Sequence, residues 1–158
     1  MPPYSYVISH IHTDGPIPGP HSLLTISSAA YSDCSEHGSL ISTFTTNVRE
    51  LPGATLHPID LQIWRDRAED WLTTRRASRP PALATTAFAR WIDHLPGRAT
   101  FVADTAEPDY LFLYWYLQRF AGHWPFARTS TEADLIDRLP RTPPCPLASC
   151  RTPLRRTS

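Results

Sequence analysis

The sequence predicts one α/β domain in which a mixed β-sheet carries helices on both faces. The first half of the chain contains apolar, β-branched runs separated by turn residues, and the second half contains apolar residues at helical spacing. The resulting order, β-β-β-α-α-β-α, is typical of a mixed sheet with helices packed on it. The chain has 158 residues, 41% of them hydrophobic, which is enough for one domain with a buried core.

The first three predicted elements are strands of an antiparallel meander. Residues 5–11 contain Val and Ile at strand spacing, and the proline- and glycine-rich residues 16–20 end this strand. A second strand over residues 22–31 is rich in Leu, Ile and Thr. The polar residues 33–39 then reverse the chain into a third strand over residues 40–48.

Two helices are predicted after the meander. The irregular segment 51–58 leads into the first helix, which Asp60 caps and which runs to about Arg75. Pro80–Pro81 breaks this helix and starts the second one, which Gly97 ends. The apolar positions at helical spacing are Leu61, Trp64, Ala68, Trp71 and Leu72 in the first helix and Leu83, Ala87, Phe88, Trp91 and Leu95 in the second.

A short strand, an apolar helix and a polar tail complete the predicted order. Residues 99–103 form the strand and residues 108–121 form the helix, which a glycine stops. The folded domain is expected to comprise residues 1–126. We expect residues 127–139 to be a degraded helical segment, and residues 140–158, rich in Pro, Arg and Ser, to be a disordered tail.

The composition argues against several classes of protein. Arginine and acidic residues balance at 15 each and the formal net charge is zero, so tight sequence-independent binding to a polyphosphate is not expected. A nuclease whose positive charge comes from bound metal ions stays possible. Three cysteines do not make a disulfide framework. No apolar run near the N-terminus suits a signal peptide or a membrane span, so we expect a cytoplasmic protein without membrane contacts.

A polar cluster follows the first strand. His10 and His12 are two residues apart, so both side chains leave the strand on the same face. Thr13, Asp14 and Gly15 come next, at the exit of the strand. Open α/β sheets usually bind their ligands at such a strand end, so we expect the functional site here.

Three stretches carry a resemblance to the DEDD family of 3′–5′ exonucleases, of the oligoribonuclease and RNase T kind. They are VISHIHTDGPIPG (residues 7–19), which is similar to the first exonuclease motif, LPGATLHPIDLQIW (51–64), which is similar to the linker after the third strand, and FVADTAEPDYLFLYWYL (101–117), which is similar to the second motif. The resemblance covers roughly residues 4–126. It implies a ribonuclease H-like fold that is incomplete at the C-terminus.

The family hydrolyses nucleic acids with four carboxylates that hold two Mg²⁺ or Mn²⁺ ions. By the resemblance, His10 stands at the position of the first Asp, His12 at that of the Glu, and Asp109 matches the Asp of the second motif. The third motif has no clear counterpart, and Asp134 and Asp137 are the late carboxylates in a helical context. The resemblance therefore implies an exonuclease domain for 3′ ends of single-stranded RNA or DNA that is inactive or impaired.

Several functional alternatives stay open at the level of sequence. A non-catalytic module that binds nucleic acid or protein would keep the fold without metals. A single-metal site for Zn²⁺, Fe²⁺ or Mn²⁺ would use His10, His12 and Asp109. The missing carboxylates fit either a pseudo-enzyme or a frameshifted gene product with residues 140–158 as its altered end. Relatives of the oligoribonuclease and RNase T kind are commonly dimers, so a homodimer is a further possibility.

Three residues are candidates for binding the substrate. Asp14 and Gly15 are positioned to present backbone N–H groups to a terminal nucleotide, with Thr13 beside them. The same two residues are also typical of a turn that simply ends a strand.

Overall fold

The protein is described here by a computed structural model, which covers residues 4–32, 40–54, 57–103 and 107–131. At its centre is a five-stranded sheet in the order β3-β2-β1-β4-β5. Pairing is antiparallel for β1–β2 and β2–β3 and parallel for β1–β4 and β4–β5. The strands are β1 (Tyr4–Thr13), β2 (Leu23–Tyr31), β3 (Leu40–Asn47), β4 (Arg98–Val102) and β5 (Arg128–Ser130). The predicted mixed sheet with its antiparallel meander is confirmed.

The described residues also form four α-helices and one π-helical turn. The helices are α1 (Pro58–Arg65), α2 (Ala68–Arg76), α3 (Pro81–Asp93) and α4 (Pro108–Tyr116), and the π-helical turn is Leu117–Ala121. The left-handed backbone at Gly122 (φ 83°) ends the last of these, as the sequence predicts. No helix in the described part of the chain has the length and apolar character needed to cross a bilayer.

Helices pack on both faces of the sheet. Val7 of β1 and Phe101 of β4 are fully buried in the main core, to which α3, α4 and the π-helical turn contribute. His12 lies an odd number of residues after Val7, so its side chain leaves β1 on the opposite face. There it contacts Trp64 of α1, with ring centroids 6.1 Å apart. The α1–α2 pair therefore lies on the second face, and the predicted α/β architecture is confirmed.

The first predicted helix is in fact two helices. α1 begins at Pro58, so Asp60 lies within the helix and does not cap it. Asp66 and Arg67 are not helical and separate α1 from α2. The predicted apolar stripe is also wrong in part, because Leu61 and Leu72 are 37% and 50% exposed. Among the described side chains of α1 and α2, Trp64 is the buried one.

The buried stripe of α3 is shifted from the predicted one. Phe88 is buried as expected, but Leu83 is 61% exposed and faces away from the core. The buried stripe combines small residues with Phe88 and Ile92. The buried residues of α3 are Ala84, Thr85, Phe88, Ala89 and Ile92.

The sheet extends past the predicted end of the domain at residue 126. Residues 128–130 form β5, which pairs in parallel with β4 through Phe101 and Thr129. The predicted helical segment 127–139 therefore begins with a strand. Backbone pairing with β4 defines this strand, and the side-chain pattern of its residues does not indicate it. The polar loop 33–39, the rest of that segment and the tail 140–158 lie outside the described residues.

Candidate functional site

The carboxyl ends of β1 and β4 point towards the same end of the sheet, called here the β1 edge, and β1 extends beyond β4. The two strands are parallel and in register, with Tyr4 opposite Arg98 and Val7 opposite Phe101. His10 and His12 lie near the end of β1 with exposed side chains. β4 leads towards α4, which places the partly buried Asp109 in its first turn. The edge predicted from the sequence is thus built by β1, β4 and α4.

His10 and Asp109 interact electrostatically across this edge. Burial raises the pKa of the Asp109 carboxyl above its usual value of 3.8. The charge of His10 acts in the opposite direction, and the carboxylate of Glu107 adds to the increase. The charge of His10 thus acts on the Asp109 carboxyl, while the family roles of both residues stay a prediction.

His12 faces a separate cavity between the sheet and the α1–α2 pair. The cavity has a volume of about 500 Å³. Its wall includes the indole of Trp64, which is 8% exposed, and the guanidinium of Arg67, which lies 5.9 Å from that ring and forms an ion pair of 2.9 Å with Asp70. The residues around the cavity are His12, Thr25, Trp64, Arg67, Asp70, Thr73 and Thr74. The cavity thus combines an aromatic ring, hydroxyl groups and an arginine–aspartate ion pair.

Asp14 closes the turn between β1 and β2. Its Oδ1 accepts the Ser22 N–H at 2.5 Å, and its own N–H donates to the Ser22 carbonyl at 3.0 Å. Its carbonyl accepts the His57 N–H at 2.7 Å. The residue is 3% exposed, and this burial raises the pKa of its carboxyl, against the hydrogen bond from Ser22 and the charge of His21. This geometry gives Asp14 a structural role in the turn, while a part in substrate binding stays a prediction.

Gly15 and Thr13 complete the same turn. Thr13 Oγ1 donates to the Gly15 carbonyl at 2.8 Å. A Cβ atom on Gly15 would lie 2.2 Å from the His21 ring, so only glycine fits beneath this imidazole. His21 in turn packs edge-on against His57, with ring centroids 5.6 Å apart. No spacing pattern in the sequence links these two histidines, because loop packing alone brings them together.

The described residues do not assemble a metal centre. Nowhere among them do three or more His, Cys, Asp or Glu side chains come together so that they could hold a metal ion. The imidazoles of His10 and His12 and the carboxylate of Asp109 are not the oxygen-rich ligand set that Mg²⁺ or Mn²⁺ requires. The described residues thus do not fit a two-magnesium centre, and a single-metal site on His10, His12 and Asp109 stays a prediction.

Comparison with known proteins identifies the class of fold. No family model and no curated protein matches the chain. Solved structures do match, and they show that the chain has the α/β fold of the ribonuclease H-like exonucleases.

The similar structures are of exonuclease I. E. coli exonuclease I in complex with a 5cy-dA13 oligonucleotide matches with a TM-score of 0.59 and 9% identity over 86% of this chain. A product-bound exonuclease I gives 0.61 and 9% over 84%, and the E. coli enzyme in complex with a dT13 oligonucleotide gives 0.56 and 9% over 81%. The chain spans 29%, 31% and 27% of those three chains. At this identity the likeness shows the fold alone.

Proposed function

We propose that this domain binds the 3′ end of single-stranded RNA or DNA at the carboxyl ends of β1 and β4 and hydrolyses it poorly or not at all. One observation carries the proposal. His10, His12 and Asp109 lie at the edge where the resemblance to the exonuclease family implies three carboxylates. In this proposal the domain keeps the position of the family's nucleic-acid site and lacks the ligands for its catalytic metal ions.

The side chains around the β1 edge suit a single nucleic-acid strand. An exposed imidazole is able to donate a hydrogen bond to a phosphate oxygen, and the ion pair of Arg67 with Asp70 lies beside the cavity that His12 lines. The solved exonuclease I structures with dA13 and dT13 oligonucleotides have the same fold, which favours a nucleic-acid ligand over a protein ligand for this domain. With zero formal net charge, we expect binding to be modest and to weaken as salt rises.

Fluorescence anisotropy with a 5′-labelled single-stranded oligonucleotide, as RNA and as DNA, tests this binding. EDTA is present throughout, so that binding is measured without metal ions. The His10→Ala, His12→Ala double variant should weaken binding several-fold because it removes both imidazoles from the edge. His94→Ala, at the exposed C-cap of α3 away from the edge, is the matched control and should bind like the natural sequence.

Two outcomes would contradict the binding half of the proposal. One is the absence of a salt-dependent anisotropy change with either oligonucleotide. The other is equal affinity of the double variant and the His94→Ala control, which would place any binding elsewhere on the surface.

A single-metal site on His10, His12 and Asp109 is a separate proposal that comes from the sequence, since these side chains do not come together as a ligand set among the described residues. Zn²⁺ that binds the folded state and not the unfolded state would raise the melting temperature of the protein. The candidate requires that His10→Ala and Asp109→Ala each abolish this increase. An increase that survives both variants would exclude these ligands.

A further inference from the structure

Three aromatic side chains form an open cluster beside α4, called here the aromatic cluster. Its members are Tyr110 and Tyr114 of α4 and Trp124, which follows the π-helical turn. The three ring-to-ring distances between centroids are 5.7, 5.6 and 5.4 Å, so each ring contacts both of the others. Tyr114 is 41% exposed, and the other two rings are partly buried against the main core. The cluster therefore presents apolar ring surface to solvent.

The aromatic cluster rests on buried rings and carries available donors. The Phe101 ring lies 6.1 Å from that of Tyr110 and 5.2 Å from that of Trp124, and Phe126 lies 4.8 Å from Trp124. Among the described residues, the hydroxyls of Tyr110 and Tyr114 and the indole N–H of Trp124 have no hydrogen-bond partner. A rigid aromatic surface with free N–H and O–H donors is the kind of surface that binds proline-rich segments.

The chain itself contains a segment of matching chemistry, LPRTPPCP, at residues 139–146. Pro140, Pro143 and Pro146 recur every three residues. A polyproline II helix has three residues per turn, so these three rings would line one edge of such a helix. This helix makes no internal hydrogen bonds, and its carbonyls are therefore available to tyrosine and tryptophan donors.

We propose that residues 139–146 bind the aromatic cluster of their own chain as a polyproline II helix. The edge formed by the three equally spaced prolines packs on the rings, and the tyrosine hydroxyls and the indole N–H donate to carbonyls of the segment. Glu107 is exposed and lies three residues before Tyr110, on the same side of α4. Its carboxylate complements the charge of Arg141 within the segment.

The position of the segment in the chain favours it over a segment from a partner protein. Thr129 of β5 lies opposite Phe101, the residue on which the aromatic cluster rests, and the described chain ends two residues later. The seven residues 132–138 are able to span about 23 Å, at about 3.3 Å per residue. A short tether gives an effective concentration on the order of millimolar, so a contact that is weak between separate molecules still forms.

Limited digestion of the full chain with trypsin, followed by mass spectrometry, tests the contact. Trypsin cleaves after Arg141, inside the segment, and after Arg151, outside it. In the natural sequence, cleavage after Arg141 should be several-fold slower than cleavage after Arg151. Tyr114→Ala removes one exposed ring and should abolish this difference. Leu111→Ala, at a 47% exposed position on the same helix but outside the cluster, is the matched control and should keep it.

The indole N–H resonance of Trp124 gives an independent measurement on the full chain. Its loss in Trp124→Phe assigns it in the NMR spectrum. The combined substitution Pro140→Ala, Pro143→Ala, Pro146→Ala removes the packing edge of the segment and should shift this resonance. Pro144→Ala, which lies off that edge, is the control and should leave the resonance in place.

Three outcomes would overturn the proposal. Equal relative cleavage after Arg141 in Tyr114→Ala and Leu111→Ala would show that the cluster does not hold the segment. A Trp124 resonance that the three alanines leave unchanged would show that the two do not touch. Protection that rises with protein concentration would show that the segment binds another molecule. Circular dichroism verifies folding, and if Tyr114→Ala does not fold, the Trp124 resonance decides on its own.

Discussion

Asp14 is a buried carboxyl whose side chain fixes a turn. Its Oδ1 accepts the Ser22 N–H, and the Ser22 Oγ accepts the Leu51 N–H at 2.9 Å. The turn between β1 and β2 is thereby linked to the segment that precedes α1. Because the carboxyl is buried, its charged form is disfavoured in the folded chain, and its pKa is raised.

We predict that Asp14 makes stability depend on pH. Between 3.8 and the raised pKa, the folded state binds more protons than the unfolded state, so this contribution to the free energy of unfolding is complete at low pH and is lost as pH rises. Asp14→Asn keeps the acceptor oxygen but does not titrate. Urea unfolding from about pH 3.5 to about pH 7 should therefore show the natural chain losing stability relative to this variant as pH rises.

Burial also raises the pKa of Asp109, but Asp109 is present in both proteins. The comparison with Asp14→Asn therefore isolates the contribution of Asp14. Asp66→Asn, at an exposed position between α1 and α2, is the control substitution. A constant difference between the natural chain and Asp14→Asn across the pH range would contradict the assignment.

Local sequence signals explain which residues could be predicted. His10 and His12 lie two residues apart in β1, so the strand face that they share was predictable from the sequence. The contact between Gly15 and the ring of His21 was not, because it depends on how two loops pack. The burial of Asp14 could not be predicted either, since Asp-Gly is equally typical of an exposed turn.

No residue of α2 is buried, so the apolar face of this helix contributes little to holding it on the sheet. One side chain, that of Arg75, makes the hydrogen bonds to the sheet. Arg75 donates from Nη1 to the Val48 carbonyl at 2.7 Å and from Nη2 to the Leu24 carbonyl at 2.9 Å. Its guanidinium also lies over the Trp71 ring at 5.3 Å. Helices with so few buried contacts are commonly the first to open.

We predict that Arg75→Ala releases α2. Hydrogen exchange of the α2 amides should become at least tenfold faster, and the free energy of unfolding should fall by about 2 kcal/mol, as for hydrogen bonds from a charged group. Arg76→Ala, at the exposed neighbouring position, should change neither quantity. Unchanged α2 exchange in Arg75→Ala would show that the helix is held by other contacts.

A phenol joins α4 to β2. Tyr116 is fully buried, and its hydroxyl oxygen accepts the Leu23 N–H at 2.8 Å. Burial raises the pKa of this phenol to about 12, so the group stays neutral at ordinary pH. Tyr116→Phe leaves a buried N–H without its acceptor and should lower the free energy of unfolding by about 1–3 kcal/mol in urea.

Tyr114→Phe is the matched control for that variant, because Tyr114 lies on the same helix and is 41% exposed. It should change stability by less than about 0.5 kcal/mol. Equal effects of the two substitutions would contradict the role of the Tyr116 hydroxyl.

At the scale of elements, strands were easier to predict than helices. β1, β2 and β3 follow from β-branched runs between turn residues, which are local signals. The break at Asp66 and Arg67 carries no proline or glycine, so nothing in the local sequence indicates it. β5 has three residues and exists through its pairing with β4.

At the scale of the whole molecule, the described residues form an α/β fold like that of exonuclease I, with two histidines near the end of β1. Parallel pairing of β1 and β4 brings His10 near Asp109, which places polar groups where such sheets bind ligands. A two-metal reaction would need several carboxylates at that edge. We therefore expect this domain to hold a nucleic-acid strand without degrading it.

Incubation of a 5′-labelled single-stranded oligonucleotide, as RNA and as DNA, with Mn²⁺ tests this central expectation most directly. Asp109→Ala, prepared identically, is the control for contaminating nuclease. We predict identical traces from the two proteins, with full-length oligonucleotide retained. A ladder of shortened products that the natural chain makes and Asp109→Ala does not would contradict the account, because it would show a working hydrolytic site at this edge.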